Sequence, residues 1–248
     1  MKPLNFAAAV VFLVGAAWLG DSCVAMHAEN SVAGRVHDAA RLDETPSVYI
    51  GGLPYVAALW THTIPLIEVN AMDVEVPRLG MINASTTLRD VTVTPEQVWS
   101  GDFEGAKVST LSRAISLDGV ALGRLLDMTD LSIANPNNIS PSGGLSAEAE
   151  LTGTIPGDAD KTTVQVDLRL SGATFTMAPT NAADDRIRDA FSLELDTRQL
   201  PLPSQATMVS LRGGQISFEV QRRNVALANG QLSPLEIDGE YDADGKQN

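Results

Sequence analysis

Acid–base chemistry needs titratable side chains held together, and beyond residue 40 the chain offers one histidine, His62. No Gly-x-Ser-x-Gly elbow accompanies it, so a Ser-His-Asp arrangement has no pre-formed nucleophile and His62 reads as a structural or surface residue. Glu68, Asp73 and Glu75 lie along one run with strand character. Asp73 and Glu75 share a parity, and carboxylates about 5–9 Å apart can cleave glycosides, but no aromatic sugar platform stands nearby. The expected place for these charges is the open side of a sheet. The stretch Glu240–Gly245, EYDADG, copies the first half of a calcium loop, with acidic groups at alternate positions and glycine sixth. Its closing glutamate would fall beyond Asn248, and the stretch reads as acidic tail. His27 and His37 are ten residues apart, too far along a helix to share a metal. The single cysteine, Cys23, allows neither an internal disulfide nor a thiolate cluster. No zinc spacing, phosphate loop or dinucleotide fingerprint occurs, and the glycine pairs Gly51-Gly52 and Gly213-Gly214 mark turns. No catalytic residue, metal ligand or cofactor site is predicted.

What remains is apolar patterning. Val164, Val166, Leu168 and Leu170 alternate with Gln165, Asp167 and Arg169, and Leu145, Ala147, Ala149, Leu151 and Ile155 share one face of the preceding run. Strands are predicted over Leu66–Val76, Thr86–Val93, Ala106–Leu117, Leu145–Ile155, Thr162–Thr176, Ser192–Thr197, Thr207–Leu211 and Gln215–Gln221. In the first, the apolar phase passes from Ile67, Val69 and Ala71 to Met72, Val74 and Val76, which predicts a bulge and a bend. Short helices are predicted over Leu53–Trp60, over Pro95–Trp99 capped by Thr94, over Gly119–Leu126 capped by Asp118, and over Ala182–Ala190. The Pro-, Asn- and Gly-rich stretch Ala134–Gly144 reads as a loop. In the first helix Leu53, Val56 and Trp60 would share a face just after Ile50 and before Ile64. In the third, Leu122, Leu125 and Leu126 would do so. With the inward residues Leu111, Ile115, Val166 and Leu168 of two strands, these are the candidate lining residues of an apolar interior. The same pattern suits helices that simply plug a core.

The chain has 248 residues, 44% apolar and 19% charged, which suits one folded β-rich body. Its formal charge is -14, a sign that repels phosphate backbones and makes nucleic acid an unsuitable partner. Lys2 followed by the apolar run Phe6–Gly20 has the form of an export signal or membrane anchor. Cys23-Val24-Ala25 offers a cleavage site, and both cleavage and retention stay open. Cys23 lacks the upstream leucine of a lipidated cysteine and follows Asp21 closely. Val24, Ala28, Val32, Val36 and Ala40 then recur every four residues, the stripe of an amphipathic helix. The expected divisions are residues 1–25 as signal or anchor, 26–45 as helical linker, 46–235 as the β-rich domain and 236–248 as an acidic disordered tail. The fold class expected is mainly β: a curved antiparallel sheet or partial barrel with a few short helices, preceded by an N-terminal helix.

The segments Pro46–Trp60 (PSVYIGGLPYVAALW), Val69–Val76, Leu88–Val91, Val108–Leu126, Leu200–Leu211 and Gly213–Leu227 follow one another in an order that resembles the LmeA-like phospholipid-binding family of actinobacterial cell-envelope proteins. The resemblance covers Asp21 to Leu227. It implies an exported or anchored protein with an elongated, strongly curved sheet similar to tubular lipid-binding domains, and an apolar cavity for phospholipid chains. It also implies a role in making mannose-containing envelope lipids, with phospholipid as ligand; the N-terminal segment makes the membrane a partner, and a second reading is a ligand-free protein that positions an envelope biosynthetic enzyme. The family's usual Gly-Phe-Pro-Phe is here Gly52-Leu53-Pro54-Tyr55, and the glycine that generally follows is displaced by Thr61–Pro65, departures that bear on head-group preference. Burying one acyl chain of about sixteen carbons is worth on the order of ten kcal/mol with no charged contact, which suits an acidic protein.

Overall fold

The computed structural model describes residues 3–136, 143–228 and 230–235, with side chains from residue 12 onward. The calcium-like stretch 240–245, the acidic tail 236–248, Lys2 and the middle of the Ala134–Gly144 loop lie outside the described residues. One helix, α1, runs from Pro3 to Ala40 without a break. It therefore spans both the apolar start and the amphipathic stretch. Ala28, Val32, Val36 and Ala40 are buried at the predicted spacing of four, and Val24 is half-buried.

Twelve strands follow among the described residues: β1 Ser47–Ile50, β2 Thr63–Val76, β3 Gly80–Thr92, β4 Lys107–Leu117, β5 Ser132–Ala134, β6 Gly143–Gly144, β7 Ser146–Thr154, β8 Lys161–Ser171, β9 Thr174–Pro179, β10 Leu193–Asp196, β11 Met208–Arg212 and β12 Gln215–Ala226. The short helices are α2 Ala58–Thr61, α3 Pro95–Ser100, α4 Gly119–Leu125 and α5 Asp185–Ala190. The strands form two antiparallel sheets, ordered β1-β2-β3-β4-β12-β11-β6 and β10-β9-β8-β7-β5, and neither closes into a barrel. The mainly β class expected from the alternation is the one observed.

By contacts the chain divides into two compact units. Unit 1 comprises Met1–Val69, Thr87–Leu111 and Arg222–Ser233, and unit 2 comprises Asn70–Thr86, Ser112–Gln221 and Pro234–Asn248. In unit 1, α1 packs against β1, α3 and the 3-10 turn Tyr55–Ala57. In unit 2, β11 packs on β7 and β8, so Val209, Ser210 and Leu211 are all buried although they alternate faces. The rings of Phe175 on β9 and Phe218 on β12 meet edge to face at 4.8 Å.

Local chemistry explains where elements start and stop. Thr94 and Gln97 form a reciprocal capping box on α3, with Pro95 at its first position. The Asp118 carboxylate caps α4 by accepting the Ala121 N–H. Asp184 caps α5, which is shorter than the predicted Ala182–Ala190 because its first turn begins only after that cap. The predicted strand Thr162–Thr176 is two strands: Ser171 pairs with Thr174 across a turn with Gly172 at φ +60°, a conformation glycine adopts without strain.

The bulge expected in β2 is present. Ile67, Val69 and Ala71 are buried, Met72 and Asp73 are both exposed, and the phase then passes to the half-buried Val74 and Val76. Asp73 is left-handed, φ +52°, and the Asn83 side chain accepts its N–H at 3.1 Å. Met72 thus lies on the outer side of the break instead of joining the second stripe, 68% exposed.

Candidate functional site

The predicted lining residues divide evenly between the units. In unit 1, Ile50, Ile64 and Leu111 are buried and Val56 is half-buried. Leu53 and Trp60 are instead on the surface, 87% and 74% exposed. The predicted helix Leu53–Trp60 is one 3-10 turn joined to one α-turn, with Pro54 in extended conformation ahead of it, so the expected stripe of Leu53, Val56 and Trp60 does not form. Tyr55 and Ala58 point inward in their place.

Asp21 fixes that segment. Its Oδ2 accepts the Tyr55 N–H at 2.9 Å and its Oδ1 the Val56 N–H at 2.7 Å, and the residue is buried. One carboxylate thereby satisfies two adjacent donors at the start of a helical turn. Tyr55 in turn donates its hydroxyl to the Val98 carbonyl at 2.7 Å, tying the turn to α3. Burial, with the nearby negative charges of Glu29 and Asp21, pushes the Tyr55 phenol up to about 12. Further along α1, Glu29 accepts the Ile50 N–H at 2.9 Å, Ser31 donates to the Ser100 carbonyl at 2.9 Å, and Arg35 donates to the Gly101 carbonyl. Gly101 has φ +65°, and a Cβ on it would stand 2.8 Å from the Ala28 carbonyl oxygen, so α1 and the end of α3 approach as closely as backbone allows.

In the sequence Asp21 reads only as a charge beside Cys23. A signal was available: it is the sole Asp, Glu, Lys or Arg between Pro3 and Ala28, and a lone carboxylate on an apolar helix requires donors if it is to be buried.

Beside α1 in unit 1 lies a cleft of about 200 Å³, lined by Arg35, Val36, Asp102, Phe103, Glu104, Leu227 and Leu232 among others. That is below the roughly 300–1,000 Å³ of ordinary small-molecule pockets.

In unit 2, Ile115, Leu122, Val166 and Leu168 are fully buried, Leu126 is buried and Leu125 half-buried. Val166 and Leu168 stand across from Ala149 and Ala147 in the β7–β8 register, so this inner face combines branched side chains with small ones. Gly119 and Gly123 seat α4 tightly, since a Cβ on either would run into the Leu131 or Met128 carbonyl. Asp130 accepts both the N–H and the hydroxyl of Thr154, each at 2.9 Å, and pairs with Lys161 at 3.2 Å. The Thr154 hydrogen bonds, with Lys161 third, hold its carboxyl below the usual carboxylate range.

The polar candidates are scattered. His62 is exposed and left-handed at the end of α2, Asp73 and Glu75 are exposed on β2, and His27 is exposed on α1. Among the described residues no three His, Cys, Asp or Glu side chains are grouped to hold a metal ion. No helix among the described residues is long and apolar enough to cross a membrane.

This arrangement can bind through apolar surface, and the family comparison gives the same chemistry. The model of the LmeA-like phospholipid-binding family matches residues 19–221. The chain belongs to that family. No curated protein and no solved structure matches it. The LmeA-like region begins at Leu19, two residues ahead of Asp21, so the second part of α1 and its hydrogen bonds to the Tyr55 turn lie within the family domain.

Proposed function

We propose that this protein is an exported cell-envelope phospholipid-binding protein that holds acyl chains against its aliphatic interior and supports synthesis or maintenance of envelope glycolipids of the lipomannan type. The observation that carries the reading is membership of a phospholipid-binding family across residues 19–221. The apolar run that opens α1 supports export or anchoring, and the net charge of -14 supports a ligand recognised by its chains. In this reading the protein binds and does not catalyse. In this reading the acyl chains lie against the aliphatic inner face of unit 2, where Val166 and Leu168 pair with the small Ala149 and Ala147.

The full chain, purified under mild conditions and examined by native mass spectrometry with solvent extraction, is expected to carry phospholipid and to take up a fluorescent phospholipid when emptied. Neither bound lipid nor uptake would end this reading. A second reading, a partner that positions an envelope enzyme and carries no ligand, is favoured by the fully buried Val166 and Leu168 and by the small volume of the unit 1 cleft. An empty chain that nevertheless co-purifies with such an enzyme would select it.

A further inference from the structure

The charge of this chain is unevenly distributed. Between Pro46 and Ile67 there is no Asp, Glu, Lys or Arg, and between Pro3 and Ala28 there is only Asp21, which is buried. Asp21 joins these two uncharged stretches through the Tyr55 and Val56 N–H groups. The result is a corner of unit 1 poor in charged side chains, with Glu29 against Ile50 and Glu96 on α3, on a protein of net charge -14.

That corner exposes what a soluble surface normally hides. All three tryptophans of the chain are more than half exposed: Trp18 at 62%, Trp60 at 74% and Trp99 at 51%. Tryptophan is a residue that folding usually buries. Leu53 and Tyr49 are exposed beside them in sequence. The supporting elements touch one another, α2 with α3 and the Tyr55 turn, and α1 with α3, β1 and the Tyr55 turn. The one charged residue of α3, Glu96, is exposed three residues before Trp99 and so shares its side of the helix.

We infer that this corner, with Leu53, Trp60 and Trp99 as its anchors, docks unit 1 on the interface of a phospholipid bilayer. Trp and Tyr favour the headgroup level of a membrane, where an apolar body and a polar N–H or O–H are both satisfied. The scarcity of charge lowers the cost of entering that layer. The occupant follows from the family's ligand, since a protein that binds phospholipid has to meet it at a bilayer. The inference rests on the phospholipid-binding reading above and adds the surface through which lipid is reached.

The test uses the full chain with phosphatidylcholine vesicles, read by co-flotation and by the blue shift of tryptophan emission. The wild type is expected to partition equally in low salt and in about 0.5 M NaCl, because apolar docking is not screened. Leu53→Glu with Trp60→Glu should weaken partitioning on the order of ten-fold per side chain, given the transfer cost of each. The urea midpoint should hold, since both side chains are exposed. The milder Trp60→Ser should act in the same direction, and Met72→Glu, an exposed site of unit 2, should have no effect. Unchanged partitioning of the double variant would overturn the proposal, as would binding abolished by salt. So would a variant that turns a dimer into a monomer while still binding vesicles, which would assign the corner to a second copy. Extracted phospholipid in a wild type that ignores vesicles would overturn docking alone, and loss of bound lipid from every form would instead count against the phospholipid-binding reading.

Discussion

Replacing Asp21 by alanine removes the acceptor for two N–H groups, at 2.9 and 2.7 Å, within a buried turn. Hydrogen bonds to a charged partner are worth about 1.5–3 kcal/mol each, and a buried donor left unsatisfied bears its desolvation as well. The two bonds share one carboxylate and are not additive, so the expected loss for Asp21→Ala is about 3 kcal/mol. Against a typical stability of about 5–15 kcal/mol this is a large fraction. Asp21→Asn keeps one carbonyl acceptor but turns an amide donor toward the other N–H, and should lose nearly as much. Urea unfolding of the full chain at neutral pH measures both through the midpoint, with the slope unchanged. A midpoint for Asp21→Ala equivalent to less than about 0.5 kcal/mol would refute the assignment of Asp21 as the clasp of α1.

The same reasoning bears on processing. Cleavage after Ala25 would remove Asp21 along with the apolar start, and a chain beginning at Met26 should be destabilised at least as much as Asp21→Ala. A chain beginning at Leu19 keeps both bonds and should match the full chain. The intact mass of protein recovered from its own cell is therefore expected to include Asp21.

Other perturbations follow from geometry already described. The Tyr55 phenol is raised to about 12 in the fold against 10.0 unfolded, so its contribution is complete below pH 10 and is lost as pH rises toward 12. That loss, roughly 2–3 kcal/mol, should be absent from Tyr55→Phe when the two urea midpoints are compared across this range. Asp130 is shifted the other way, so its contribution is present above the ordinary carboxylate value and lost as pH falls through its lower folded value. Asp130→Asn should flatten the acid limb of the stability profile measured by thermal unfolding. Gly101→Ala places a Cβ 2.8 Å from the Ala28 carbonyl oxygen at a left-handed position, and should cost roughly 1–3 kcal/mol by urea midpoint.

Much of the fold could be read from residue order because the interactions that set it are local. The alternation in Val164–Leu170 needs no knowledge of a partner to mark a half-buried strand, and Thr94 and Asp118 lie within three residues of the N–H groups they cap. The two-residue β6 and the three-residue β5 are too short for a period to appear in the sequence. Asp21 is harder to read for a different reason: the donors it accepts from are 34 and 35 residues away, so its isolation on an apolar helix signals burial without naming its partners. Leu53 and Trp60 were placed inward on the assumption that one helix continues through Pro54, and two short turns of different geometry broke the periodicity on which that assumption rested.

The error at Leu53 and Trp60 has a physical source that reaches beyond one helix. An apolar side chain leaves water equally well for a protein core or for a bilayer, because lipid tails are as apolar as leucine. Composition and period therefore select the same residues for both destinations. What separates them is where the backbone stands once folded. Ile50 and Ile64, within the same uncharged stretch, are buried by their own strands, while Leu53 and Trp60 sit on turns that hold them 87% and 74% exposed. Tertiary structure satisfies the first pair. The second pair is left in water, and it is this pair that the proposed bilayer docking would bury.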